Sequence, residues 1–134
     1  MVAAMCINSI LIVEDDDMIR KALVTKFTQE GLTVFSAENG KQGIEVALKQ
    51  KPDMLLVDIL MPVMDGITML ETLRREQPWG KSVPVVILSN LEPDDPKIHN
   101  LAQLNPLAHL VKADWPVENI MTIINRCSDE MQGK

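Results

Sequence analysis

PDMLLVDILMPVMDG, residues Pro52 to Gly66, sets an unbroken apolar run against one carboxylate and then a turn. Met54, Leu55, Leu56 and Val57 lie between Lys51-Pro52 and Met61-Pro62, which reads as a strand covered on both faces. Asp58 ends the run. In an open parallel α/β sheet, ligands and chemistry gather outside the carboxyl ends of the strands, so an acid there faces the functional crevice. Alone, such an acid is as readily a loop start as a reacting group. Three other stretches shift that balance.

Ile10 to Asp17, ILIVEDDD, is a second apolar run that ends directly in acids. Val83 to Ser89, VPVVILS, ends in a hydroxyl, and His109 to Lys112, HLVK, ends in an ammonium. Glu14, Asp15 and Asp58 brought together would repel one another and raise each other's pKa unless a cation is present. A hard divalent ion bound through oxygen answers this, and Mg²⁺ suits a small site that keeps several waters. A cation, a hydroxyl and a fixed positive charge around one carboxylate can hold a phosphoryl group and offset its charge, which is most of what phosphoryl transfer asks of a protein.

Helical patterns alternate with these runs. Asp16 or Asp17 is placed to cap a helix with Ile19, Ala22, Leu23 and Phe27 as its apolar stripe and Gly31 as its stop. A second strand is expected at about Thr33 to Ser36. Asn39 then caps a helix with Ile44, Ala47 and Leu48 on one face. After the Met61-Pro62 turn, with Asp65-Gly66 as a permissive bend, Ile67, Leu70 and Leu73 give a third helix ending by Pro78-Trp79-Gly80. Met61, Met64 and Met69 read as packing residues. Val85 to Leu88 is the fourth strand. The segment that follows contains Pro93, Pro96 and Pro106, so a fourth helix between Pro96 and Asn105-Pro106 would be short. Ala108 to Val111 is the fifth strand, and Asp114-Trp115-Pro116 opens a last helix buried through Val117, Ile120, Met121 and Ile124. Five strands alternating with helices predict an α/β fold: a doubly wound five-stranded parallel sheet, order 2-1-3-4-5, with helices on both faces. That order makes strands one and three neighbours and sets Asp15 beside Asp58 at the switch point.

At 134 residues the chain is one domain with a sizeable core. Only 3% of it is aromatic, which leaves the interior to Leu, Ile, Val and Met. A net charge of −6 disfavours direct contact with nucleic acid or an anionic membrane surface. No apolar run approaches the length of a membrane span, and MVAAMCINS lacks the flanks of a signal peptide, so a cytoplasmic location is expected. Cys6 and Cys127 show no paired spacing and read as reduced thiols. His99 and His109 do not form a metal-ligand pattern.

The acidic pair Glu14-Asp15, the run Val57-Asp58-Ile59-Leu60-Met61-Pro62 followed by Met64-Asp65-Gly66, and then Ser89 and Lys112, resemble the receiver domain of two-component response regulators, flavodoxin-like in fold and here of single-domain type. The likeness implies a receiver domain over residues 8–131, short termini at 1–7 and 132–134, and no output domain. It implies a signalling switch in which Asp58 accepts a phosphoryl group from a histidine kinase or histidine phosphotransfer protein and then acts on an unknown downstream protein, with a homodimer possible. The chain would not be an enzyme beyond transferring a phosphoryl group to itself and slowly losing it. Asp15, Asp58 and the backbone carbonyl of Leu60 would hold Mg²⁺, with Glu14 acting through a metal-bound water. Lys112 would pair with Asp58 and then with a phosphoryl oxygen. Ser89 would donate to the phosphoryl group and draw its loop inward, and His109 occupies the switch position three residues before the lysine, where Tyr or Phe is usual.

The chain departs from that pattern in places. Ala113 stands where receivers usually carry a proline, often cis, so a trans link and a different loop are expected. His109 is open to two readings, a pH-sensing imidazole or a packing residue. Leu60 and Leu91 stand at the positions that flank the attacking water in this family and cannot orient one, which implies a long-lived phosphorylated state. Two other functions stay open: a receiver-like interaction module that is no longer phosphorylated, and a Mg²⁺-dependent aspartyl phosphohydrolase. The second normally needs another acid two residues after the nucleophile, where Leu60 stands.

Overall fold

A computed structural model describes residues 7–76, 78–91, 95–96, 101–114 and 117–132, except the side chains of 102 and 126–132. Cys6, Pro93, His99, Trp115, Pro116 and the side chain of Cys127 lie outside the described residues. The strands are β1 (Ser9–Val13), β2 (Thr33–Ala37), β3 (Met54–Asp58), β4 (Val85–Ser89) and β5 (Ala108–Val111), all parallel in the order β2-β1-β3-β4-β5. Among the described residues the α-helices with both ends defined are α1 (Asp17–Gln29), α2 (Gly40–Gln50), α3 (Gly66–Glu76) and α4 (Val117–Gln132). Short 3-10 turns cover Trp79–Lys81, Leu101–Leu104 and Lys112–Asp114.

Every residue of β3 and of β4 is buried, as a strand covered on both faces must be. Alternation along the strands divides the apolar side chains between two cores. Leu11, Val13, Leu55, Val57, Val85 and Ile87 point to the face packed by Ala47 of α2 and by Met69, Leu70 and Leu73 of α3. Ile10, Ile12, Met54, Leu56, Val86 and Leu88 point the other way, toward Leu23 and Phe27 of α1 and Val117, Ile120, Met121 and Ile124 of α4. The outer strands β2 and β5 are only partly buried.

Local chemistry sets the helix starts. Asp16 caps α1 by accepting from the Ile19 N–H at 3.0 Å, and Asn39 caps α2 by accepting from Gln42 at 2.9 Å. Asp65 does the same for α3 at Thr68, at 2.7 Å. Gly31, at φ 92, follows α1 as its stop.

Two expectations need correcting. Ala22 is exposed, and Val24 takes its place in the apolar stripe of α1, because the contact surface of that helix winds round by about a residue. Gly66 is not needed for a permissive bend: the left-handed residue of that loop is Val63, at φ 69, where the Met64 N–H reaches back to the Pro62 carbonyl at 2.7 Å. Gly66 is needed for closeness, since a Cβ there would lie 2.2 Å from the Asp58 carbonyl oxygen. Of the short helix expected between Pro96 and Pro106, Pro96 is helical, residues 97–100 lie outside the described residues, and Leu101–Leu104 form a 3-10 turn. No helix among the described residues is long and apolar enough to cross a membrane.

Candidate functional site

The pairing of β1 with β3 sets Val13 opposite Val57, so the next residues of the two strands, Glu14 and Asp58, emerge side by side. Glu14 is turned inward and fully buried, whereas Asp15 faces solvent. Two bonds hold the turn: the Arg20 guanidinium donates to the Glu14 carbonyl at 2.9 Å, and the Asp16 N–H donates to Glu14 Oε2 at 3.0 Å. The Gly66 N–H donates to the Ile59 carbonyl at 2.9 Å, which fixes the chain immediately beyond Asp58.

Lys112, the residue after β5, crosses the ends of the strands to reach both acids. Its Nζ donates to Asp58 Oδ2 at 3.0 Å and to Glu14 Oε2 at 3.0 Å. Glu14 Oε1 lies 2.9 Å from the same nitrogen but outside hydrogen-bonding angles, and it is a buried oxygen with no hydrogen-bond partner. Burial raises the Glu14 carboxyl to about 7, against the pull of Lys112 and of the Asp16 N–H. Burial likewise raises Asp58, with Lys112 opposing. Burial alone would lower Lys112, but its bonds to Glu14 and Asp58 outweigh that and raise it.

The charges do not balance. Oxygens of Glu14, Asp15 and Asp58 all lie within 4.8 Å of one another, and with all three ionised the single ammonium leaves an excess of two negative charges. An all-oxygen donor set, one of whose buried oxygens lacks a hydrogen-bond partner, fits a hard divalent cation such as Mg²⁺. The cleft beside these groups, of about 260 Å³ and open to solvent, is lined by Asp15, Asp58, Leu60, Ser89, Asn90 and Lys112 among others. Small anionic groups fit such a space: it has acids that a cation could bridge, a hydroxyl and an ammonium.

The structure therefore brings Glu14, Asp15, Asp58, Leu60, Ser89 and Lys112 to one place. The Ser89 hydroxyl accepts from the Leu91 N–H at 2.8 Å and keeps its own proton to donate. His109 does not line the cleft; it sits exposed on the edge strand, and partial burial of its ring lowers its pKa. No peptide bond among the described residues is cis, and the Ala113 N–H donates to Asn90 Oδ1 at 2.7 Å. Two features escaped the sequence reading. Lys112 binds Glu14 as well as Asp58, and Asn90 lines the cleft. Neither has a local signal, because each contact joins segments brought together only by strand pairing.

The profile of the response regulator receiver domain matches residues 10–125. Sporulation initiation phosphotransferase F of Bacillus subtilis is 35% identical over 105 residues, covering 78% of this chain and 82% of that one. A protein-glutamate methylesterase/protein-glutamine glutaminase of Archaeoglobus fulgidus is 42% identical over 83 residues, which are 61% of this chain but 23% of that protein. Three transcriptional regulators are matched over 28% to 39% of their lengths. Among solved structures, the chemotaxis response regulator CheY4 of Vibrio cholerae superposes with a TM-score of 0.77 at 25% identity, covering 90% of this chain and 98% of that one.

Proposed function

This chain belongs to the response regulator receiver family, and on that premise we propose that it is a switch phosphorylated on Asp58. Receivers take phosphoryl groups from histidine kinases or phosphotransfer proteins, and either would serve here as the donor. The observation that carries the reading is the Lys112 ammonium, 3.0 Å from Asp58 Oδ2 at the mouth of a cleft with an excess of negative charge.

In the proposed step a carboxylate oxygen of Asp58 attacks the phosphorus of the donor. The new P–O bond forms as the donor's P–N or P–O bond breaks, and the leaving group departs with that electron pair. Lys112 then moves its hydrogen bond from the carboxylate to a phosphoryl oxygen, and the Ser89 hydroxyl donates to another. Asp15, Asp58 and the Leu60 carbonyl would hold Mg²⁺, with Glu14 behind them. The bound cation supplies positive charge for the phosphoryl oxygens. Loss of the group needs a water held in line with phosphorus, and the side chains of Leu60 and Leu91 offer nothing to hold it. We take the domain to span residues 8–131 and to act through contact with another protein, without turnover of a free substrate.

The test is to incubate the chain with Mg²⁺ and acetyl phosphate, find any adduct by mass spectrometry, and follow its decay after the donor is removed. A stable adduct on Asp58, absent from Asp58→Asn, is expected. Steady phosphate release would instead indicate a hydrolase. No adduct at all would leave a receiver fold used only for binding. A decay accelerated severalfold by Leu60→Asn would tie the long lifetime to that side chain, and an already rapid decay in the native chain would refute it.

A further inference from the structure

One hydrogen bond joins the two loops that carry the hydroxyl and the ammonium of the cleft. The Ala113 N–H donates to Asn90 Oδ1 at 2.7 Å. A backbone N–H can only donate, so this bond identifies which end of the Asn90 amide is oxygen. Asn90 directly follows Ser89 and Ala113 directly follows Lys112. The bond thus continues, by a side chain, the pairing that sets Ser89 opposite Val111 in the last register of β4 with β5.

Lys112 lies at the margin of the sheet. It leaves β5, a four-residue edge strand whose Val111 is half exposed, and opens a 3-10 turn. From there its four-carbon stem must carry Nζ across to Asp58 and Glu14, so the place of its backbone limits where the charge can reach. The segment on the other side is better anchored: β4 is wholly buried, and the Leu91 N–H closes a turn onto Ser89 Oγ at 2.8 Å, with Asn90 at its centre. A proline at 113 would have no N–H and could not make this bond.

We propose that Asn90 is a positioning residue for Lys112, holding the lysine's loop to the end of β4 through the Ala113 N–H. This rests on the reading of Asp58 and Lys112 as the phosphoryl site. Asn90 is exposed, so its replacement leaves the core untouched.

Four chains decide it: native, Asn90→Ala, Ala113→Pro and the double variant, each measured for phosphorylation rate against acetyl phosphate concentration with Mg²⁺ and for the NMR signal of the Lys112 side chain, with hydrogen exchange at the Ala113 amide followed in the two chains that keep it. Asn90→Ala is expected to speed exchange at Ala113, shift the Lys112 signal, and lower the rate at saturating donor about three- to tenfold. In the Ala113→Pro background the same replacement should add nothing, because no N–H remains to lose. Faster exchange with an unmoved Lys112 signal and an unchanged rate would overturn the proposal, as would equal slowing in both backgrounds. If the native chain takes up no phosphoryl group, the functional reading fails by itself, and the Lys112 signal still decides whether Asn90 positions it.

Discussion

Gly66 and Gly31 separate two reasons for a glycine. Gly31 has φ 92 with open space where a side chain would go, so an alanine there meets only backbone strain, about 1 kcal/mol. At Gly66 a Cβ would meet the Asp58 carbonyl oxygen at 2.2 Å and its carbon at 3.0 Å, and neither atom can yield without moving the end of β3. Gly66→Ala should therefore cost about 2–4 kcal/mol by urea denaturation, clearly more than Gly31→Ala. Equal costs would mean that the start of α3 can retreat from β3, and that this glycine does not fix where Asp58 sits. The sequence showed that a glycine belonged after Asp65 but misidentified its reason. The left-handed position fell instead on Val63, a β-branched residue that no local rule would assign to it.

Among the elements, α3 does more than cover a face of the sheet. Arg74, near its end, donates to four carbonyls: Gly80 at 2.9 Å, Val83 at 2.7 Å, Leu104 at 2.9 Å and Asn105 at 3.3 Å. These belong to the turn after α3, the approach to β4 and the approach to β5, so one guanidinium aligns the entrances of two strands whose far ends carry Ser89 and Lys112. Burial lowers its pKa, but a guanidinium stays charged in proteins. Arg74→Met keeps the apolar stem and strands the carbonyls. We expect a loss of roughly 2–4 kcal/mol in denaturant midpoints, with Arg74→Lys recovering only part of it because an ammonium cannot fork to four acceptors. A loss below about 0.5 kcal/mol would mean that water replaces the clamp. In sequence Arg74 is an ordinary basic residue in the last turn of a helix. Its role depends on contacts 30 and 31 residues away, which periodicity does not carry.

At the scale of the molecule, strand order and the gathering of acids at one edge of the sheet were legible, because buried parallel strands are continuous apolar runs and each run ends visibly in its polar residue. Glu14, Asp58 and Ser89 are each the last residue of such a run or the one just after it, and Lys112 follows the partly buried β5. The direction each side chain takes was not legible: Glu14 turns in and Asp15 turns out, although both follow the same strand. That division gives the site its charge imbalance, and the imbalance makes a prediction that does not depend on phosphorylation. A divalent cation that binds the folded chain alone stabilises it by about 2.7 kcal/mol at a hundred times its Kd. Mg²⁺ should thus raise the Tm of the native chain by several degrees relative to EDTA. Asp15→Asn removes one donor and one negative charge together, so its two effects have opposite signs. Without Mg²⁺ the variant should melt at or above the native temperature, because repulsion among the acids is relieved, and with Mg²⁺ it should gain little. A native chain indifferent to Mg²⁺, or a variant that gains as much as the native chain, would show that the three acids do not act as one cation site.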